Sequence, residues 1–138
     1  MEKMDEFLGV FKALSDRTRL RIIRILMKAG TELCVCEIMD SLAETQYNVS
    51  RHLKELKYAG LVDCRTMGRW VFYSTRKTND KFVRLLQKAI MEIPSDVFNL
   101  DELRLEKRLS MRKNGRCVIG MTDSQWKKQI KRLEERGV

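Results

Sequence analysis

The chain has one histidine, one proline and seven glycines in 138 residues, and no apolar run near the roughly 18 residues needed to cross a bilayer. Each scarcity excludes something. No nucleophile–base–acid set can form around a lone histidine, and neither Cys-x-x-Cys nor a glycine-rich phosphate loop occurs, so an enzyme such as a reductase is not expected. One proline and few glycines leave little room for long irregular linkers, and there are no repeats or low-complexity tracts. Met1 to Val10 carries Glu2, Lys3, Asp5 and Glu6 with no apolar run behind them, unlike a targeting signal. The expectation is a cytoplasmic protein without a membrane partner. In a reducing compartment its four cysteines should be ligands, reactive thiols or core residues rather than disulfides.

What is present is a core and a basic surplus. Hydrophobic residues reach 43%, enough for a packed interior. Strings such as Arg19 to Met27 and Phe82 to Ile93 indicate a mostly helical chain. The net charge of +9 is unevenly spread. Residues 1–44 hold 7 basic and 8 acidic side chains, residues 45–93 hold 10 and 4, and residues 94–138 hold 11 and 7. Such a positive surface suits a polyanion, most commonly nucleic acid.

Phe7, Val10, Phe11 and Leu14 fall at helical spacing, and Ser15-Asp16 can cap a second helix that Gly30 ends. A short third helix is expected from about Cys34 to Leu42. Thr45 stands as N-cap of a fourth, Gln46 to Tyr58, with Val49, Leu53 and Leu56 inward. Val62 to Thr66 and Arg69 to Thr75, separated by Met67-Gly68, read as a hairpin. This order gives a mainly α, winged helix-turn-helix fold with a two-stranded wing. Beyond it, Asp80 to Ile93 is an amphipathic helix broken by Pro94. Leu100 to Arg112 is helical and leads to an Asn114-Gly115 turn and Cys117-Val118-Ile119. A capping box at Thr122 to Gln125 should start a last helix bearing Trp126, Ile130 and Leu133. The division expected is a DNA-binding and dimerisation domain over residues 1–93 and a C-terminal helical extension over 94–138.

Ala13-Leu-Ser-Asp-Arg-Thr-Arg-Leu-Arg-Ile-Ile-Arg-Ile-Leu26, Ser50-Arg-His-Leu53, Ala59-Gly-Leu61 and Gly68-Arg-Trp-Val-Phe-Tyr73 resemble the ArsR/SmtB repressors over residues 7–93. Glu32-Leu-Cys-Val-Cys-Glu37 resembles, more narrowly, the arsenic-sensing and cadmium/lead-sensing branches. The resemblance implies that the start of the recognition helix enters the major groove. Gln46, Asn48, Ser50 and Arg51 occupy that end, with Lys54 a turn further on. Arginine can hold guanine with two bonds, and Gln or Asn can hold adenine so. Arg65, Arg69 and Arg76 would reach phosphate from the wing, or simply keep a sheet edge soluble. His52 resembles the family's histidine that packs or hydrogen-bonds near the DNA. The family's zinc sensors use several His and carboxylate ligands on the helix after the wing. Residues 80–93 offer Asp80 and Glu92 and no histidine, so zinc there is not expected.

Cys34 and Cys36 are the chemical centre. Residues i and i+2 point about 200° apart on a regular helix, so both can hold one ion only if at least one lies in the non-helical turn at the helix start. A helix N-terminus should also favour thiolate over thiol. Soft thiolates select soft ions, which suits arsenite, antimonite, cadmium or lead. The plainer alternative is two buried thiols that pack as small apolar residues. The arsenic-sensing pattern has a third cysteine at the position of Met39. Either two sulfurs suffice here or the third comes from elsewhere. Cys117 is the candidate, because Arg112-Lys-Asn-Gly-Arg-Cys-Val118 resembles a tail on some arsenic-responsive members, and it could reach from the same or the partner chain. Cys64 reads as a core thiol.

The resemblance implies a homodimer, with Phe7, Phe11 and Leu14 meeting Phe82, Leu86 and Ile90 across the interface. Two recognition helices would then read an inverted-repeat operator in double-stranded DNA. The function implied is an arsenite- or antimonite-released repressor. A cadmium- or lead-responsive repressor and a thiol-redox or reactive-sulfur switch stand beside it.

Overall fold

The computed structural model describes residues 2–118, 120 and 124–135. Helices α1 (Glu2–Leu14) and α2 (Arg17–Ala29) lead to a two-residue strand β1 (Leu33–Cys34) and to α3 (Val35–Leu42). Next come α4 (Gln46–Tyr58), the strands β2 (Val62–Met67) and β3 (Trp70–Thr75), and α5 (Lys81–Met91). A 3-10 turn (Ser95–Phe98), α6 (Asn99–Ser110) and α7 (Ser124–Glu135) complete the described chain. No helix among these residues is long and apolar enough to cross a membrane.

The helix starts follow local chemistry. The Asp16 carboxylate accepts from Arg19 N–H at 3.0 Å, and Thr45 Oγ1 accepts from Asn48 N–H at 3.2 Å. Asp80 Oδ1 accepts from Phe82 N–H at 2.9 Å. Gly30 closes α2 at φ 65°, where a side chain would be strained. Thr122 and Asp123, expected to cap α7, and Ile119 lie outside the described residues.

Two expectations about the wing need correction. The sheet is three-stranded, in the order β1-β3-β2, because Leu33 and Cys34 pair antiparallel with Tyr73 and Phe72. The hairpin turns at Gly68-Arg69 rather than Met67-Gly68, since Met67 still pairs with Trp70. With φ 60° at Gly68, the two-residue loop puts glycine first, as a type II′ connection requires.

The core collects Ile22, Ile25 and Leu26 of α2, Ile38 and Leu42 of α3, Val49, Leu53 and Leu56 of α4, and Leu105 of α6. Thus α6 shares the interior of the helix-turn-helix. Buried ion pairs fix it there. Arg21 grips Asp101 with two bonds of 2.8 Å. Arg24 Nε and Nη2 hold Glu102, while its Nη1 donates to the Ile90 and Ile93 carbonyls at 2.7 and 2.8 Å, closing the C-terminal end of α5. Ile90, expected at a dimer interface, is buried within the single chain. Met4, Phe7, Leu8 and Phe11 of α1 and Leu85 of α5 instead remain exposed, with Phe7 set edge-on to Phe82 at 4.9 Å.

Candidate functional site

The i, i+2 obstacle at Cys34 and Cys36 is resolved by the short strand. Cys34 is the last residue of β1 and the N-cap of α3, with extended backbone (φ −79°, ψ 162°), while Cys36 is inside the first turn. Their Sγ atoms come to 2.8 Å. Cys117, 81 residues beyond Cys36, brings its Sγ to 3.2 Å from Cys34 and 3.6 Å from Cys36, within the same chain. These three residues form one cluster, and among the described residues no histidine or carboxylate joins it. A donor set of three sulfurs fits a soft ion that takes three ligands in a pyramid. Met39 lies buried in the core, and Cys64 sits half-buried on β2 opposite Tyr73. Cys64, read as a core thiol, is thus half-buried and stands apart from the cluster.

Two acid–arginine pairs carry the tail to this place. Glu37, 0% exposed, accepts from the Cys34 N–H at 3.0 Å through Oε1, which supports the start of α3. The same carboxylate receives Arg112 Nε at 2.6 Å and Nη2 at 2.7 Å, and that Nη2 also donates to the Glu32 carbonyl at 2.7 Å. One turn earlier on α6, the fully buried Arg108 donates from Nε to Asp40 at 2.9 Å, with Nη2 3.9 Å from Cys117 Sγ. Either carboxylate without its arginine would be a buried charge, costly by several kcal/mol. The pairs are therefore obligatory partners, and they set the Cys117 thiol beside the other two.

The expected ease of thiolate formation at the helix start is not found. The Cys34 thiol is pushed up steeply by its hydrogen bonds with Cys117 and then Cys36, and further by burial. The Cys36 thiol is pushed up to about 12, chiefly by its contact with Cys117 and by burial. Both shifts favour the thiol over the thiolate.

The residues expected at DNA divide into three groups. Gln46, Ser50, Arg51 and Lys54 lie exposed along α4, and Arg69 is exposed in the hairpin turn. Asn48 is half-buried and tied to its neighbours, donating to Glu44 at 3.0 Å and accepting from Arg51 at 3.0 Å. His52, 5% exposed, faces inward with Nδ1 3.2 Å from Arg19 Nη1, and burial lowers its affinity for a proton. It can place the helix but cannot reach a base. Arg65 is engaged by Glu32 at 2.6 Å and stacks over Phe72, while Arg76 donates to the Gly60 carbonyl at 3.3 Å. Sequence reasoning missed Tyr47, 78% exposed at the start of α4. It also missed the Glu37/Arg112 and Asp40/Arg108 pairs. An acid pair at i, i+3 on α3 matched by Arg108 of α6 and Arg112 just past its end was the available signal.

A helix-turn-helix followed by a basic hairpin is the architecture of a DNA-binding regulator, and a solved structure agrees. The homodimeric winged helix-turn-helix DNA-binding domain from Mycobacterium bovis, described as a possible ArsR-family transcriptional regulator, superposes with a TM-score of 0.56 at 28% identity. The match covers 64% of this chain and 78% of that one. The protein is thus a winged helix-turn-helix transcriptional regulator and not an enzyme.

Sequence comparison narrows the class. The profile of the bacterial regulatory protein arsR family matches residues 16–63, which include Cys34 and Cys36. The arsenic resistance transcriptional regulator ArsR1 of Pseudomonas putida is 36% identical over 96 residues, 70% of this chain and 74% of that one. A cadmium resistance transcriptional regulatory protein CadC homolog of Staphylococcus aureus is 40% identical over 83 residues, 59% and 65% of the two chains. The chain belongs to the ArsR family and is a transcriptional repressor of that family.

Proposed function

We propose that the protein is a homodimeric repressor that holds an inverted-repeat operator in double-stranded DNA and releases it when arsenite or antimonite binds Cys34, Cys36 and Cys117. The observation that carries this reading is the three-sulfur cluster, 2.8 to 3.6 Å on its edges, assembled within one chain. Relatives named for arsenic resistance support it.

The protonation of the thiols favours a metalloid over a divalent cation. Arsenite at neutral pH is As(OH)3. Three thiols replace its three hydroxyls, forming three As–S bonds and three waters, with no net proton released. Cadmium or lead must instead expel protons from Cys34 and Cys36, both of which resist losing them. On the DNA side, Gln46, Ser50 and Arg51 meet bases, Asn48 and His52 hold α4 in place, Lys54 and Arg69 serve phosphate, and Arg65, paired with Glu32, braces the wing. Ligand at the start of α3 shifts the helix pair α3–α4. Such coupling is worth about 1–3 kcal/mol, or roughly 5- to 150-fold in DNA affinity.

Titrating arsenite, antimonite, cadmium, lead and zinc into the protein–operator complex tests this. Release by arsenite and antimonite at the lowest concentrations is expected, and it should be lost in a Cys34→Ser/Cys36→Ser double variant that still binds DNA. Release by cadmium or lead at lower concentration than arsenite would establish the divalent reading instead. Release by oxidant without any metal would establish a redox switch.

A further inference from the structure

A cleft beside the sulfurs shares walls with the residues expected at DNA. Cys34 and Cys36 are 1% and 3% exposed. Both line a cleft of about 370 Å³ whose other walls are Val35, Gln46, Arg69, Trp70, Val71, Val118 and Gly120. Gln46 is the first residue of α4, and Arg69 lies in the turn of the wing. The strand pairing accounts for the arrangement. Cys34 lies opposite Phe72, so the chain running on through Val35 heads along β3 toward Trp70 and the hairpin turn. Val118 and Gly120, beyond Cys117, wall the same cleft.

A winged helix-turn-helix touches DNA with the start of its recognition helix in the major groove and with its wing on the adjoining backbone. The cleft lies between those two contacts. A phosphodiester strand running from one to the other would cross the cleft.

We infer that operator DNA is the lid of the thiol site, so that the metalloid enters the free dimer and induction captures protein that has already left its operator. This rests on the reading of the three thiols as the ligand site. The block is steric, since As(OH)3 is uncharged and feels no repulsion from phosphate. The block governs entry only; once bound, the ligand lowers DNA affinity through the shift of α3 and α4. The tail takes part on both counts, as it supplies Cys117 and a wall of the cleft.

Two measurements test it. In stopped flow, operator release from the full-length protein is followed at rising arsenite concentration. The rate should level off at the spontaneous dissociation rate obtained with excess unlabelled operator alone. A release rate that keeps climbing beyond that value overturns the proposal, because ligand must then enter the DNA-bound state. The second measurement needs no arsenite and so separates this proposal from the choice of inducer. Alkylation of each cysteine by iodoacetamide is followed by mass spectrometry with and without operator at matched salt. Operator should slow modification of Cys34 and Cys36 by about tenfold or more and leave Cys64 unchanged. Equal rates at Cys34 and Cys36 in both states overturn it.

Discussion

Arginine does several different jobs in this chain, and only burial separates them. Arg24 is buried and closes the end of α5, Arg108 is buried against Asp40, and Arg51 stands in solvent on α4. Among the described residues, Arg51 hydrogen-bonds within its own helix, to Asn48 Oδ1 at 3.0 Å and with a 3.4 Å approach to His52 Nε2, and its exposed guanidinium can turn to a base edge. Arg51→Ala should weaken operator binding by about 1–3 kcal/mol and blur discrimination at one base position. Fluorescence anisotropy at fixed salt against operators mutated one base at a time checks this. An unchanged affinity would mean that α4 is not read through Arg51. Arg65 is the contrary case. Its pairing with Glu32 and stacking on Phe72 hold the wing to the segment before Cys34, which the sequence pattern of a basic strand could not reveal.

Among the elements, α6 is the one that makes the thiol site possible. It is held to α2 by Arg21–Asp101 and Arg24–Glu102 and to α3 by Arg108–Asp40. Arg108→Met leaves Asp40 buried without its arginine and should cost about 3–5 kcal/mol in urea unfolding. Adding Asp40→Leu to the same chain should recover most of that loss, since an apolar pair no longer strands a charge. A double variant as unstable as the single one would contradict the assignment of the pair. The same element shows what sequence could and could not disclose. Helix starts at Arg17 and Gln46 were legible because their caps, Asp16 and Thr45, act within three residues, whereas Asp80, read as the first helical residue, is the cap of α5. The strand β1 was not legible. Two residues have no periodicity, and they are a strand only because Tyr73 and Phe72 lie alongside. Protonation of the thiols was misjudged for a similar reason. The helix start acts locally, but the neighbours that raise the thiols include Cys117, 83 residues beyond Cys34.

At the scale of the whole molecule, the exposed apolar face of α1 and α5 is where the proposed dimer would form, and each chain carries its own set of three thiols. Two independent sites per dimer follow, each obeying the proton balance of its ligand. Between pH 6 and 8 arsenite affinity should be nearly constant, because As(OH)3 and protonated thiols exchange three waters. Cadmium affinity should rise steeply with pH, because each thiol that binds it must give up its proton. Isothermal titration in buffers of different ionisation enthalpy checks the proton count directly. An arsenite affinity that rises as steeply as that of cadmium would mean that the thiols are already ionised in the folded protein.

The central claim is that the C-terminal tail completes a three-sulfur site with the two cysteines at the start of α3. X-ray absorption at the arsenic edge of the arsenite-loaded protein measures this most directly. Three sulfurs around arsenic are expected in the parent and in Cys64→Ser, and two in Cys117→Ser, which should also lose arsenite more readily. Two sulfurs in both the parent and Cys117→Ser, with equal affinity, would contradict the account and leave Cys117 a packed thiol.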